Sequence, residues 1–157
     1  MDIDKKDKMI LMALQDDAKQ SSRDLSKKLG IPATTIHERI KRMEKEEIIT
    51  GYHVAIDPEK IGMTTTAIIL VRRVPRKSIS KNVFYTKIAD LAAKLPEIQE
   101  VHLVTGEYDM LLKVKGISDK TVGEYIVEKI WSLPEVERTV TFMSFYTAKD
   151  TCRLQLE

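Results

Sequence analysis

Apolar residues recur at helical spacing through the first fifty positions, then begin to alternate. Ile10, Ala13 and Leu14 share one face of a first helix that Asp4 caps and that runs to Gln15. The polar run at 16–20 interrupts it. Ser21 with Asp24 three residues on reads as a capping box, with Asp in the place of Glu. Leu25 and Leu29 point inward from the short helix that follows. Gly30 ends that helix, where the backbone must turn with positive φ. Pro32 opens a third helix whose apolar face is Ile36, Ile40 and Met43. A short helix, a glycine turn and a second helix with a basic outer face have the spacing of a helix-turn-helix. The residues at 48–52 leave the third helix as an extended arm.

Beyond Gly51 the period shortens. Residues 52–57 alternate as a strand does until Pro58 stops them. A β-branched run at 66–74 predicts a strand, cut by Pro75. Helical spacing through Val83, Ile88, Leu91 and Leu95 predicts a helix over 80–95. Two strands at 101–104 and 110–114 flank the turn Gly106-Glu107-Tyr108-Asp109. A helix capped by Asp119 runs to 133 through Val122, Tyr125, Ile126, Ile130 and Trp131, and a last strand covers 136–147. The order βαββαβ is the ferredoxin-like plan, with helices on one face of an antiparallel sheet. Leu95-Pro96-Glu97-Ile98 and Leu133-Pro134-Glu135-Val136 end both helices alike, a pseudo-repeat within one fold. The fold class is α+β. The boundaries are a helix-turn-helix domain at 1–51, a linker strand at 52–64 and a sheet domain at 65–157.

With 157 residues, each half is small and gains from association. The longest apolar run, Ala67 to Val71, is too short to span a bilayer. The acidic start Met1-Asp2-Ile3-Asp4 is unlike a signal peptide, and one cysteine, Cys152, gives neither a disulfide framework nor a multi-cysteine metal site. A cytoplasmic protein without a membrane partner is expected. The net charge of +2 is uninformative until it is divided. Residues 19–45 hold 8 bases and 3 acids, residues 51–81 hold 6 and 2, and residues 82–157 hold 9 and 12. A basic stretch on a helix-turn-helix is a nucleic-acid footprint; elsewhere it is a solvated face.

Several segments together carry a family resemblance. They are Asp4-x-x-Asp7-x-x-Ile10-Leu11-x-x-Leu14-Gln15, Leu25-Ser26-Lys27-Lys28-Leu29-Gly30-Ile31, Glu38-Arg39-Ile40-Lys41-Arg42-Met43-Glu44 and Ile48-Ile49-x-Gly51-Tyr52. In the second half they are Val104-Thr105-Gly106-Glu107-Tyr108-Asp109 and Val136-Glu137-Arg138-Thr139-x-Thr141. In this order and at this spacing, the whole chain resembles the leucine-responsive regulatory protein (Lrp/AsnC, feast/famine) family of transcription regulators. The resemblance implies an N-terminal winged helix-turn-helix that binds double-stranded DNA. It also implies a C-terminal domain that dimerises and binds a small effector, commonly an amino acid. Relatives assemble from dimers into tetramers or octamers. Two features depart from the family: Ile31-Pro32-Ala33-Thr34-Thr35 lacks the Ser-Pro start of many recognition helices, and the basic stretch 72–81 is longer than usual and reads as a solvated loop.

In helix-turn-helix geometry a two-fold dimer sets its recognition helices roughly 34 Å apart. Thr34, Thr35, His37 and Glu38 are the candidates for reading bases, with Thr suited to a thymine methyl and Glu to cytosine N4. Lys27, Lys28, Arg39, Lys41 and Arg42 are the candidates for phosphates. For Arg39 an internal ion pair to Glu44 or Asp24 is an equal alternative. The turn at 106–109 by itself reads as a hairpin that needs Gly106, with Asp109 capping a backbone amide. The resemblance adds an effector role for Gly106, Tyr108 and Asp109, with Thr139 and Thr141 on an exposed side of the last strand as further candidates. No catalytic set, cofactor motif or metal-ligand spacing is present, and His37, His53 and His102 do not combine into one. Two other readings stay open. One is an architectural DNA protein without an effector. The other is a siroheme decarboxylase of the same two-domain shape, whose His-Asn-Tyr-x-Arg-like run is matched in Val101-His102-Leu103-Val104-Thr105 only at His102.

Overall fold

The computed structural model describes residues 3–74 and 81–156, of which 81–85 are described by their backbone. The chain forms two compact units, one from residues 1–55 and 149–157, the other from residues 56–148. The C-terminal nine residues therefore group with the helices, whereas the sequence carried the sheet domain to 157. Among the described residues no helix is long and apolar enough to cross a membrane.

The helical unit holds α1 (Lys5–Asp16), α2 (Ser22–Leu29) and α3 (Ala33–Lys45). Each boundary has a local cause. Asp4 caps α1, and Ser21 caps α2 in a reciprocal box with Asp24. Gly30 closes α2 in the left-handed region at φ 67°, as the turn requires. Ile10 and Ala13 of α1, Leu25 of α2, Ile31 of the turn and Ile36 and Met43 of α3 form one buried core. Beyond α3, residues 50–57 are exposed, and the alternation at 52–57 finds no partner strand among the described residues.

The second unit contains β1 (Thr65–Arg73), α4 (Lys81–Ala92), β2 (Ile98–Leu103), β3 (Met110–Gly116), α5 (Asp119–Tyr125) and β4 (Val136–Ser144). The sheet order is β2-β3-β1-β4, antiparallel throughout, as the ferredoxin-like plan requires. Period-2 burial puts Ala67, Ile69, Val71, Met110, Leu112 and Val114 on the helix-covered face, against Ile88, Ala92, Val122 and Ile130. The opposite face carries Ile68, Leu70, Leu111 and Val140, half-buried, and Phe142, 55% exposed. Two details differ from the sequence reading. Ser118, not Asp119, caps α5, while the Asp119 carboxylate accepts a hydrogen bond from Thr65 Oγ1 at 2.9 Å. The helix passes after Tyr125 into a π-turn over Ile126–Ile130, and Trp131 that follows is 58% exposed.

At Gly116, the end of β3, α5 packs closely on the strand. A Cβ there would lie 2.6 Å from Cγ2 of buried Val122. Gly116→Ala is expected to cost about 1–3 kcal/mol in urea unfolding of the sheet unit. Gly123→Ala, on α5 with open space around it, is expected to add about 0.5–1 kcal/mol instead. Equal effects of the two substitutions would remove this account of Gly116.

Candidate nucleic-acid interface

The N-terminus of α1 is closed by two aspartates acting on each other's backbone. The Asp7 amide donates to Asp4 Oδ1 at 2.9 Å, and the Asp4 amide donates to Asp7 Oδ2 at 3.2 Å. The two carboxylates also meet arginines of α3. Arg39 Nη1 donates to Asp4 Oδ2 at 2.7 Å and to Asp7 Oδ1 at 2.8 Å, and Arg42 Nη2 donates to Asp7 Oδ2. The Asp7 side chain is wholly buried, so its charge requires these partners. The Asp7 amide, then the Arg39 guanidinium, lower the Asp4 pKa to about 2 against a smaller opposing effect of burial. The same two carboxylates hold the Arg39 pKa above its ordinary value. Arg39 is thus paired within the domain, as the alternative reading allowed, but its partners are Asp4 and Asp7 rather than Glu44 or Asp24.

This clamp divides the predicted contact residues. With Ile36 and Met43 turned inward and Arg39 and Arg42 turned to α1, the outer face of α3 shows Thr34, His37, Glu38 and Lys41, all exposed. Thr35 is half-buried. Arg42 keeps 41% of its side chain exposed, with Glu46 also 3.9 Å away. On α2, Lys27 is exposed and Lys28 lies 3.7 Å from Asp16. Pro32 supplies no side-chain cap to α3, consistent with the departure at this turn. The Tyr52 hydroxyl donates to Glu44 Oε1 at 2.9 Å and ties the arm after α3 back to that helix. Burial, then the Glu44 carboxylate, raise the Tyr52 pKa to about 12. The Asp4–Asp7–Arg39–Arg42 constellation was not read from the sequence; two aspartates at a helix start facing arginines one turn apart was the available signal.

The second candidate site lies at one end of the sheet. The backbone at Asp109 bridges strands, its amide donating to Val71 O at 3.0 Å and its carbonyl accepting from Val104 at 3.0 Å. Its carboxylate accepts the Arg73 amide at 2.9 Å, with Arg73 Nε 4.0 Å away. Asp109 thus caps a backbone amide. Gly106 has φ 124°, in the left-handed half that favours glycine, and open space over its α-carbon. Tyr108 is half-buried. Thr139 and Thr141 lie opposite Val71 and Ile69, so they are half-buried on the helix-covered side rather than exposed. Trp131 Nε1 donates to Thr139 Oγ1 at 3.0 Å. The register row Leu103–Met110–Val71–Thr139 brings the turn and Thr139 to the same end of the sheet. Of the basic stretch 72–81, residues 75–80 lie outside the described residues; Arg72 pairs with Glu137 at 3.6 Å.

Comparisons with known proteins follow the same division. A winged helix-turn-helix DNA-binding family matches residues 3–50, and the Lrp/AsnC ligand binding domain matches residues 66–154. An HTH-type transcriptional regulator of Pyrococcus furiosus is 40% identical over 148 residues, covering 94% of this chain and 96% of the relative. The proline dehydrogenase transcriptional activator of Rhizobium radiobacter is 33% identical over 150 residues, covering 96% and 94%. Among solved structures, AsnC of E. coli superposes with a TM-score of 0.82 at 26% identity over 96% of this chain and 97% of its own. A Neisseria meningitidis transcriptional regulator in complex with L-Met shares the fold, with a TM-score of 0.86 at 22% identity over 98% and 97%.

The depressed Asp4 pKa sets the acid behaviour of the clamp. A carboxyl whose pKa is lowered by folding stabilises the fold fully above its unfolded value, near 3.8, and loses that contribution as the pH falls through about 2. Helical circular dichroism followed from pH 5 to pH 2 is expected to show the helical unit weakening in that window. Asp4→Asn is expected to flatten the dependence there. An unchanged acid profile in Asp4→Asn would detach Asp4 from the clamp.

Proposed function

The chain belongs to the Lrp/AsnC family of DNA-binding transcription regulators, and on that premise we propose that it reads specific DNA sequences with the outer face of α3 and answers to an amino acid held at the Gly106–Asp109 end of the sheet. The observation that carries the DNA reading is the division of charge on α3. Arg39 and Arg42 are committed to Asp4 and Asp7, so the helix offers Thr34, His37, Glu38 and Lys41 outward on a rigid mount. Thr34, His37 and Glu38 read base edges, with Thr35 contributing from its half-buried position. Lys41 and Lys27 take phosphates, with Lys28 and the exposed part of Arg42 as secondary contacts, while Arg39 acts as a positioning residue. A two-fold dimer brings two such helices to one operator. The uncovered sheet face with Ile68, Leu70, Leu111, Val140 and Phe142 supports pairing there.

The effector reading rests on the family's ligand-binding domain and on the L-Met complex of the Neisseria regulator. In this chain Asp109 both caps Arg73 and keeps 27% of its side chain exposed, enough to meet an ammonium group. The open space over Gly106 admits a small molecule close to the backbone. Tyr108, Thr139 and Thr141 supply the remaining polar groups.

Two measurements test these assignments. Lys41→Ala is expected to weaken binding to all duplexes alike and to lower the slope of log affinity against log salt by about 1. A slope equal to that of the unaltered chain would remove Lys41 from the phosphate contacts. Titration calorimetry against the common amino acids, methionine among them, is expected to find saturable binding that Asp109→Asn weakens about tenfold or more. That substitution keeps the shape and an acceptor for Arg73 and removes the charge. Binding undiminished in Asp109→Asn would move the effector site elsewhere.

A further inference from the structure

The helical unit is built from both ends of the chain, and the segment after β4 is bound to it through α1. Gln15 grips the tail by its backbone. Its Nε2 donates to the Leu154 carbonyl at 3.0 Å, and its Oε1 accepts the Leu154 amide at 2.7 Å. A primary amide carries the same donor and acceptor as a peptide unit, so Gln15 serves as one rung of a β-bridge. Neighbouring contacts set the register. Arg153 Nη1 lies 2.7 Å from Asp16 Oδ1, and Asp16 Oδ2 also faces Lys28 of α2 at 3.7 Å. Leu156 helps to line a cavity of about 640 Å³ with Ile3, Met9, Met12 and Leu29.

We propose that residues 149–156 are a releasable strap, docked by Gln15, Asp16 and the Met9–Met12–Leu29 groove, that ties the DNA-reading unit to β4. The proposal rests on the regulator reading above. Each contact is weak taken alone: Arg153 and Asp16 are 44% and 42% exposed, so their pairing is screened by water. Covalent attachment to β4 makes the docking intramolecular, so that contacts of this strength can hold. The same weakness lets a modest change at the sheet release it. Its position gives release a consequence. The helix held at its C-terminal end by the tail is the one whose N-terminal Asp4 and Asp7 hold Arg39 and Arg42 of α3. The same chain runs back through β4, which carries Thr139 and Thr141.

The test uses the full chain and its Gln15→Ala and Arg153→Ala variants, both at exposed positions. Hydrogen exchange is read at the Leu154 amide. In the unaltered chain this amide is expected to exchange at least about tenfold more slowly than in an unstructured peptide, with no change on hundredfold dilution. Gln15→Ala is expected to remove that protection and Arg153→Ala to reduce it about threefold. Exchange at the unstructured rate in the unaltered chain would overturn the strap, and protection lost on dilution would show a tail exchanged between copies instead. Affinity for a duplex selected from random DNA is then compared. A shift of threefold or more in both variants supports transmission to α3, and identical affinities overturn it. An unaltered chain that binds no duplex would overturn the regulator reading, with the exchange result still deciding whether the tail docks.

Discussion

A buried carboxylate governs the reading unit. Asp7 has no exposed side-chain surface, and an unpaired ion there would cost several kcal/mol. Its compensation comes from the Asp4 amide and from two guanidinium groups of α3. Satisfying Asp7 therefore fixes the rotation of α3 about its own axis. Once Arg39 and Arg42 look toward α1, the residues at 34, 37, 38 and 41 look outward. The pairing of two acids with two bases is neutral, so the clamp spends charge that would otherwise be counted toward nucleic acid. The basic character of residues 19–45 is real, but part of it is internal scaffolding.

The end of the sheet follows the same logic at lower cost. Asp109 is held by two backbone bonds, and its carboxylate accepts the Arg73 amide. A group so placed has a fixed direction in the folded chain, the preorganisation on which the proposed effector site relies. Gly106 contributes by lacking a side chain in a conformation that side chains disfavour. Just past the π-turn, Trp131 sets its ring nitrogen on Thr139. A polar edge and an exposed aromatic thus lie beside the strand that leads into the tail.

Much of the fold was legible because its causes are local. The capping residues Asp4 and Ser21, the glycine turn at Gly30 and the inward faces of α2 and α3 all rest on residues within a few positions of one another. The alternation at 66–74 and 110–114 announced β1 and β3, and β4 stopped three residues short of the range expected. The capping of α5 shifted by one residue because Asp119 is engaged by Thr65, a partner 54 positions away. The helix widens after Tyr125 into a π-turn, which no periodicity of 3.6 foretells. Thr139 and Thr141 were misjudged as exposed because a strand's covered face depends on register with β1.

By itself the sequence determined the kinds of elements, their order and the turns between them, since each follows from propensity, capping and period over short stretches. It also located the outer face of α3 through the inward positions Ile36 and Met43. Only the tertiary structure decided which charges remain available. Arg39 meets Asp7 across 32 positions and Gln15 meets Leu154 across 139, and separations of that size leave no local signature. The physical reason is that a charge or an amide is assigned by what folding brings within hydrogen-bond distance of it, not by its neighbours along the chain.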